Sequence, residues 1–157
     1  MVRFRNRYLV MEIFLDPNNK DHLSKTQDDP IIVTPYNISK AIKDSLLINF
    51  GECGSAAIIG SFQVVYVNPI TKVCILRVSR EGHEKLWSST TMVKSIGNCP
   101  VVFNLLDLSG NSRACKVAAL KCEEAKFELY KQSMGDKLSS DTTLKMQNSL
   151  EKIKLLN

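Results

Sequence analysis

The opening run MVRFRNRYLVMEIF (residues 1–14) decides how the rest of the chain must be arranged. Successive side chains of a β-strand point to opposite faces of its sheet. The second half of this run is apolar on both faces: Leu9, Met11 and Ile13 on one, and Tyr8, Val10 and Phe14 on the other. A strand that is covered on both sides belongs near the middle of a sheet. We therefore expect a central first strand that ends near Phe14.

Three arginines, Arg3, Arg5 and Arg7, alternate along the start of the same run. On a strand they share one side, with neighbouring guanidinium groups roughly 6–7 Å apart, which is twice the strand rise. That spacing is close to the separation of successive phosphates along a nucleic-acid backbone. Like charges so placed repel each other unless an anion or carboxylates offset them. The alternative interpretation is an exposed basic strand start that binds nothing.

Length and charge limit the remaining possibilities. A chain of 157 residues is the size of one domain. Its 21 Lys and Arg residues exceed its 16 Asp and Glu residues, and the formal charge of +5 favours a polyanionic partner without requiring one. No apolar run approaches the length of a membrane-spanning helix, and the N-terminus lacks the pattern of a secretory signal.

Cysteine and histidine usage argues against disulfides and zinc. The cysteines are Cys53, Cys74, Cys99, Cys115 and Cys122, an odd number with no CxxC pair. We interpret them as reduced residues of a cytosolic or nuclear protein. The histidines are His22 and His83 alone, too few for a well-spaced zinc site with the scattered cysteines.

The middle of the chain predicts a helix followed by a hairpin. Thr34 is a good N-cap, Pro35 fits the first helical position and Gly51 fits just past the end. A small-residue link over residues 54–57 then leads to strands at about residues 60–67 and 72–79, joined by a turn at residues 68–71. The polar residues 16–30 before this helix read as a loop.

The second half predicts another helix, a strand and two further helices. The second helix is expected over residues 81–96 and the next strand over residues 101–108. The buried side of the second helix is expected to comprise Leu86, Trp87, Val93 and Ile96. Ser112 is placed to cap a third helix, whose narrow stripe of small residues should lie flat on the sheet. That stripe is Cys115, Ala118, Cys122, Ala125 and Leu129. Beyond Gly135 the pattern indicates only a weak amphipathic helix.

The order of these elements is the split βαβ pattern of an α+β ferredoxin-like (RRM-like) βαββαβ sandwich with additional C-terminal helices. The first and third strands of such a sheet are central. Two helices cover one face, and the third helix partly covers the other. We place this domain at residues 1–133 and treat residues 134–157 as a C-terminal tail.

Several of these segments together resemble a known family. They are the run at residues 2–9, the hairpin over residues 62–80, the helix of Trp87, and the strand of Phe103 and Asn104 that leads to Ser-Gly-Asn-Ser-Arg at residues 109–113. In this order, over about residues 1–130, they resemble the ribonuclease P and ribonuclease MRP protein subunit family called "processing of precursors five". The insertion at residues 16–30 and the tail after residue 134 depart from the family pattern.

The resemblance implies a supporting role rather than a reaction. In this family the RNA subunit is the catalyst, and it uses bound magnesium to remove the 5′ leader of precursor tRNA; ribonuclease MRP acts on pre-rRNA. The protein stabilises the catalytic RNA and recruits the other protein subunits. A eukaryotic member is expected in the nucleus and nucleolus, and a non-eukaryotic member in the cytoplasm. No membrane association is expected in either case.

Basic residues gather at three places that can face RNA. The expected RNA-binding residues are Arg3, Arg5, Arg7, Arg77, Arg80, Arg113 and Lys116. Arg113 and Lys116 lie in the first turn of the third helix, where backbone N–H groups suit phosphate. A salt bridge is the competing interpretation of Arg77. No catalytic or metal site is expected: Asp28 and Asp29 lie in a polar loop, and His83 reads as a surface or capping residue.

Three other functions compete with this interpretation. A free-standing RRM-type RNA binder stacks bases on strand aromatics, but residues 72–78 contain none. An acylphosphatase-like enzyme needs a phosphate loop with a catalytic Arg, and the turn at residues 109–113 is the one weak candidate. A structural adaptor that never touches RNA is the third, and the arginine strand argues against it only mildly.

Overall fold

The architecture was obtained as a computed structural model that describes residues 5–16, 33–134 and 140–156. The strands are β1 (Asn6–Leu15), β2 (Gln63–Asn68), β3 (Val73–Ser79), β4 (Ser95–Ile96) and β5 (Cys99–Ser109). The helices are α1 (Pro35–Ile59), α2 (His83–Thr91), α3 (Ser112–Met134) and α4 (Ser140–Leu155). A 3₁₀ turn, Arg80–Gly82, joins β3 to α2. The predicted order is confirmed, with the short β4 added.

The strands form one antiparallel sheet in the order β2-β3-β1-β5-β4. β1 and β3 are therefore both central, as the sequence predicts. Leu9 and Val10 point to opposite faces of β1, and both are fully buried. The apolar second half of β1 is thus explained by cover on both sides.

Each face of the sheet has its own apolar cluster. On the first face, α1 and α2 pack against β1 through residues such as Leu9, Met11, Ile42, Leu76 and Leu86. On the second face, α3 and α4 pack through Val10, Tyr66, Val73, Ile75, Cys115, Ala119 and Ile153. This arrangement confirms two helices on one face and the third helix on the other. It is the α+β ferredoxin-like sandwich with C-terminal helices added.

Helix α1 begins as predicted but ends later. Thr34 caps it, because the Thr34 side chain accepts a hydrogen bond from the Asn37 amide at 3.2 Å. Gly51 does not end the helix; it forms a kink with φ 69° and ψ −174°, a conformation open essentially to glycine alone. The expected link at residues 54–57 is helical. Ser55 and Ile58 are buried in this second part, so packing on the sheet explains why the helix resumes.

Helix α2 is shorter than predicted, and a different set of its residues faces the core. It ends at Thr91, and Ile96 instead lies in β4, which pairs with β5 across a turn where Gly97 has φ 60°. The buried residues of α2 are Leu86, Ser89 and Thr90, whereas Trp87 remains 39% exposed. The prediction that Trp87 is buried was therefore wrong. Small polar residues form the contact between α1 and α2, where the Ser45 hydroxyl of α1 donates to the Ser89 carbonyl of α2 at 2.7 Å.

Helix α3 lies on the second face as expected, but with a different cap and a different buried stripe. Asn111, not Ser112, caps it: the Asn111 side chain accepts from the Ala114 amide at 2.8 Å. The buried positions are Cys115, Ala119 and Glu123, whereas Ala125 and Leu129 of the predicted stripe are exposed. The true stripe follows i, i+4 spacing and includes a carboxylate, Glu123, that the predicted stripe leaves out.

The C-terminal helix α4 packs on this structure, with Met146 and Ile153 buried. All five cysteines lie in the described ranges and no disulfide joins them; Cys74, Cys99 and Cys115 are buried. Among the helices of the described ranges, none has the length and apolar character needed to cross a membrane. Apart from Asp16, the predicted loop at residues 16–30 lies outside the described residues.

Candidate nucleic-acid interface

The fold brings most of the predicted RNA-binding residues to one end of the sheet. Tyr8 near the start of β1 pairs with Arg77 near the end of β3 and with Ser109 at the end of β5. The Arg80 amide donates to the Arg5 carbonyl at 2.9 Å, which ties the 3₁₀ turn to β1. Helix α3 starts three residues after Ser109. We call the resulting set the basic end: Arg5, Arg7, Arg77, Arg80, Arg113 and Lys116. Arg3 lies outside the described residues.

The basic end wraps around the sheet rather than forming one row. Arg7 pairs with Val78, whose side chain is buried on the first face. Arg77 pairs with Tyr8, which packs on the second face. Paired residues of neighbouring strands share a face, so Arg7 and Arg77 point to opposite faces. A ligand that meets both must cross the end of the sheet.

Two of the six side chains also support the structure. The Arg7 guanidinium donates to the Asn6 carbonyl at 3.0 Å and lies beside Gly110, where a β-carbon would come within 3.4 Å of it. The Lys116 ammonium donates to the Lys154 carbonyl at 3.4 Å near the end of α4. Arg5, Arg80 and Arg113 are exposed. Within the described ranges, none of the six forms an ion pair, so the salt-bridge interpretation of Arg77 gains no support there.

The start of α3 completes this surface. The first N–H groups of any helix lack carbonyl partners inside the helix and attract anions. The first turn of α3 contains Arg113 and no acidic residue. The side chain of the cap residue Asn111 accepts from the Ala114 amide, and its carbonyl accepts from the Cys115 amide at 3.2 Å. The arrangement can therefore hold phosphate oxygens between backbone N–H groups and forked guanidinium groups.

The second face does not offer a platform for stacked bases. Its central positions Val10 and Ile75 are fully buried beneath the α3 and α4 helices. Tyr66 is only 6% exposed. Recognition of the RRM type needs aromatic side chains on an open sheet face. The geometry therefore favours contact with an RNA backbone over base stacking.

Two groups with the chemistry for catalysis, His83 and Cys74, are otherwise engaged. The half-buried His83 ring donates through Nδ1 to the Arg80 carbonyl at 2.5 Å. Burial raises the pKa of the Cys74 thiol to about 12, so it is not a nucleophile near neutral pH. Across the residues that the structure describes, no group of carboxylates, cysteines and histidines is arranged to hold a metal ion. Asp28 and Asp29 lie outside those residues.

Sequence reasoning missed a buried carboxylate on α3. Glu123 is 2% exposed and accepts hydrogen bonds from Thr71 Oγ1 at 2.9 Å, Asn68 Nδ2 at 3.1 Å and Tyr66 Oη at 3.4 Å. Burial raises the pKa of Glu123, and the three hydrogen bonds oppose that rise. The side chain therefore clamps the β2–β3 turn to α3. The one available signal was its position four residues after Ala119 and eight after Cys115.

A second carboxylate, Glu12, lies near Glu123 on the same face. It forms an ion pair with Lys126 of α3 at 2.8 Å and accepts from Asn104 Nδ2 at 2.8 Å. Burial acts to raise the pKa of Glu12, but the hydrogen bonds and the positive charge of Lys126 outweigh it and lower the pKa. We call Glu12 of β1 with Glu123 and Lys126 of α3 the carboxylate cluster.

The comparisons with known proteins agree on one assignment. A model of the Rpp14/Pop5 family matches residues 7–120. The chain is 59% identical over 156 residues to the probable ribonuclease P/MRP protein subunit POP5 of Arabidopsis thaliana, covering 99% of each chain. It is 31% identical to ribonuclease P/MRP protein subunit POP5 of Schizosaccharomyces pombe, over 87% of this chain and 96% of that one.

The fold also matches a chain in the cryo-EM structure of yeast ribonuclease MRP. The TM-score is 0.53 at 13% identity, over 85% of this chain and 97% of that chain. At this identity the likeness concerns the fold alone. The sheet and helices described above are therefore those of a known architecture.

Proposed function

Because the chain belongs to the Rpp14/Pop5 family, we propose that it is a protein subunit of the ribonuclease P and ribonuclease MRP ribonucleoproteins. The observation that carries this proposal is the 59% identity to the Arabidopsis thaliana subunit over 99% of both chains. A match of that extent includes the basic end, both faces of the sheet and α4. The partners are then the RNA of each particle and its other protein subunits.

In this role the basic end binds the RNA backbone. The exposed Arg5, Arg80 and Arg113 supply guanidinium groups, and the first turn of α3 supplies N–H groups. Arg7 and Lys116 are partly held by carbonyls, so they fix the geometry as well as adding charge. Because these cations lie around the end of the sheet, they can hold together two RNA segments that approach from different faces.

Catalysis belongs to the RNA in this proposal. The protein stabilises the RNA that binds magnesium and removes the 5′ leader of precursor tRNA, and through ribonuclease MRP it takes part in pre-rRNA processing. Precursor tRNA is reached through the assembled particle, which in a eukaryote works in the nucleus and nucleolus. Arginine contacts to phosphate position an RNA without reading its sequence.

The test is to purify a tagged copy of the full chain and sequence the RNA that accompanies it. We expect enrichment of ribonuclease P or MRP RNA. Replacing Arg5, Arg80 and Arg113 by Gln should reduce that enrichment. Replacing Lys43, Lys145 and Lys152 by Gln changes the charge equally at exposed sites outside the basic end, and should not. Absence of both RNAs from the unmodified sample would refute the proposal.

The isolated chain should not cleave precursor tRNA. The reason is that the described residues form no metal-binding group, and that His83 and Cys74 are otherwise engaged. The measurement is incubation of the purified chain with precursor tRNA and magnesium, beside the purified particle as the positive control. Cleavage at the 5′ leader junction by the chain alone would show that the protein itself is catalytic.

A further inference from the structure

The outer edge of β5 has backbone groups that no described strand pairs. β4 covers β5 only at Cys99 and Pro100, and the Val101 amide then donates outward to the Lys94 carbonyl at 3.0 Å. Along an antiparallel strand, residues alternate between pairing with one neighbour and pairing with the other. The N–H and C=O groups of Phe103 and Leu105 therefore also point outward, where no described residue forms a backbone hydrogen bond with them.

Among the described residues, nothing gives this stretch the usual protection of a sheet edge. Edge strands are commonly guarded by charged side chains, bulges or covering elements. Residues 101–105 carry no charge, and the irregularity in the β1–β5 register comes only after Leu105, opposite Val10 and Met11. The first charged residue of β5 is Asp107, beyond that irregularity. Beyond the Val101 amide, residues 101–105 thus form a short, uncharged edge that no described strand pairs.

An apolar groove lies at one end of the same edge. Its volume is about 570 Å³, and Phe14, Met92, Pro100 and Val102 contribute to its walls. Phe14 is 51% exposed, Met92 56% and Val102 60%. A strand that adds to a sheet gains its affinity from backbone hydrogen bonds and its specificity from pockets for alternate side chains. Both requirements are present side by side.

The chemistry of this edge favours protein over RNA. Leu15 pairs with Val101 at this end of β1, whereas Tyr8 pairs with Ser109 at the basic end. Eight residues of β5 separate the two ends, roughly 25 Å at the usual strand rise. The charged residues that line the groove are Lys94 and Asp16, of opposite sign. A surface of unpaired amides and apolar side chains suits an extended peptide segment rather than a phosphate backbone.

We propose that the edge of β5 at residues 101–105 accepts an extended segment of another protein subunit as a sixth strand, with an apolar side chain of that segment in the groove beside Val102. The inference rests on the proposed function for the source of the segment. Strand addition satisfies the outward groups of Phe103 and Leu105 and covers the exposed Val102. It also leaves the basic end free for RNA.

Hydrogen exchange measured by mass spectrometry tests the proposal on the unmodified chain. Amides of residues 101–106 are compared in the free chain and in particles purified through a tagged copy, before and after ribonuclease digestion. We expect exchange at Phe103 and Leu105 to slow at least tenfold in the particle and to stay slow after digestion. Peptides from β3, which lies between β2 and β1 and away from the edge, serve as the internal reference.

Every other outcome overturns the proposal. Slow exchange in the dilute free chain would mean that residues 17–32 of the chain itself cover the edge. Slow exchange only at high concentration of the free chain would indicate a second copy as the occupant. Protection that disappears with ribonuclease would indicate RNA. Rapid exchange at Phe103 and Leu105 in particles that contain ribonuclease P or MRP RNA refutes the added strand but not the proposed function. Recovery of neither RNA refutes both.

A matched pair of variants provides a second test. Val102→Lys places a charge at the edge, and Val117→Lys places the same charge on α3, where Val117 is 68% exposed. Incorporation of the Val102→Lys chain into particles should fall at least tenfold, with an unchanged melting temperature. The Val117→Lys chain should be incorporated normally. Equal incorporation of the two folded variants contradicts the proposal.

Discussion

The start and the middle of α3 use charge in opposite ways. At its start, Arg113 is exposed in a turn without acidic residues. Further along, Glu123 is buried and Lys126 is bound to Glu12. The same helix therefore presents cations without ion-pair partners at its start and holds the fold together with paired or buried charges in its middle. Residue type alone does not separate these roles; burial and partners do.

The difference has a simple energetic basis. Exposed cations keep their hydration, so their mutual repulsion at the basic end is screened by salt and costs the fold little. They gain free energy when they replace the counterions of a phosphate backbone. A buried carboxylate instead loses its hydration, and it is tolerated only when hydrogen bonds replace the water. Glu123 receives three such bonds, which makes the clamp costly to break.

The largest expected effect is on the clamp. Glu123→Ala removes the acceptor of Thr71, Asn68 and Tyr66 and leaves buried donors without partners. We expect the free energy of unfolding to fall by about 2–4 kcal/mol. The control is Glu124→Ala, the exposed neighbour on the same helix, which should change it by less than about 0.5 kcal/mol. Chemical denaturation measures both, and equal effects would show that Glu123 clamps nothing.

The next effect concerns the basic end. Replacing Arg3, Arg5 and Arg7 by Gln removes up to three phosphate contacts, so the slope of log affinity against log salt should become shallower by roughly 2–3. When salt rises from 50 to 200 mM, the affinity of the unmodified chain should therefore fall by a factor about 16–64 larger than the affinity of the variant. Binding to ribonuclease P RNA is measured, with circular dichroism as the folding control. An unchanged slope in a folded variant would shift the contact to Arg77, Arg80 and Arg113.

How well the sequence predicted the basic end and the Glu123 clamp depended on the distance along the chain between the residues that interact. The alternation in β1, the Thr34 cap and the turn after β5 are local patterns, and they located the central strand, α1 and the basic end. The clamp joins residues 52 to 57 positions apart, so no local pattern contains it. Gly51 was misread for a related reason: its own conformation interrupts a helix, but the burial of Ser55 and Ile58 restores it.

The pH dependence of stability should have opposite signs at the two carboxylates. The pKa of Glu123 is raised in the fold, so its contribution is fully present below the ordinary value of 4.5 and is lost as pH rises through the folded pKa. The pKa of Glu12 is lowered, so its contribution is present above 4.5 and is lost as pH falls through the folded pKa. Each unit of pKa change corresponds to about 1.4 kcal/mol.

Two Gln variants isolate these contributions. Relative to Glu123→Gln, the unmodified chain should lose stability as pH rises from 4.5 towards 7. Relative to Glu12→Gln, it should lose stability as pH falls from 4.5 towards 3. Unfolding free energies at half-unit intervals of pH provide the comparison. If both differences moved in the same direction with pH, Glu12 and Glu123 would not differ in the way that their surroundings indicate.

The smallest expected effects compare two cations of α3: Lys126 in its middle and Arg113 at its start. Lys126→Met breaks the ion pair with Glu12, so it should lower the free energy of unfolding by about 1 kcal/mol and leave the salt slope of RNA binding unchanged. Arg113→Met removes an exposed cation, so it should change stability by less than about 0.5 kcal/mol and reduce the slope by about 0.7–0.9. Each substitution removes one positive charge from the same helix, so net charge cannot explain a difference. If both variants flattened the slope equally, binding would follow the overall charge of α3, and the basic end would not be a defined site.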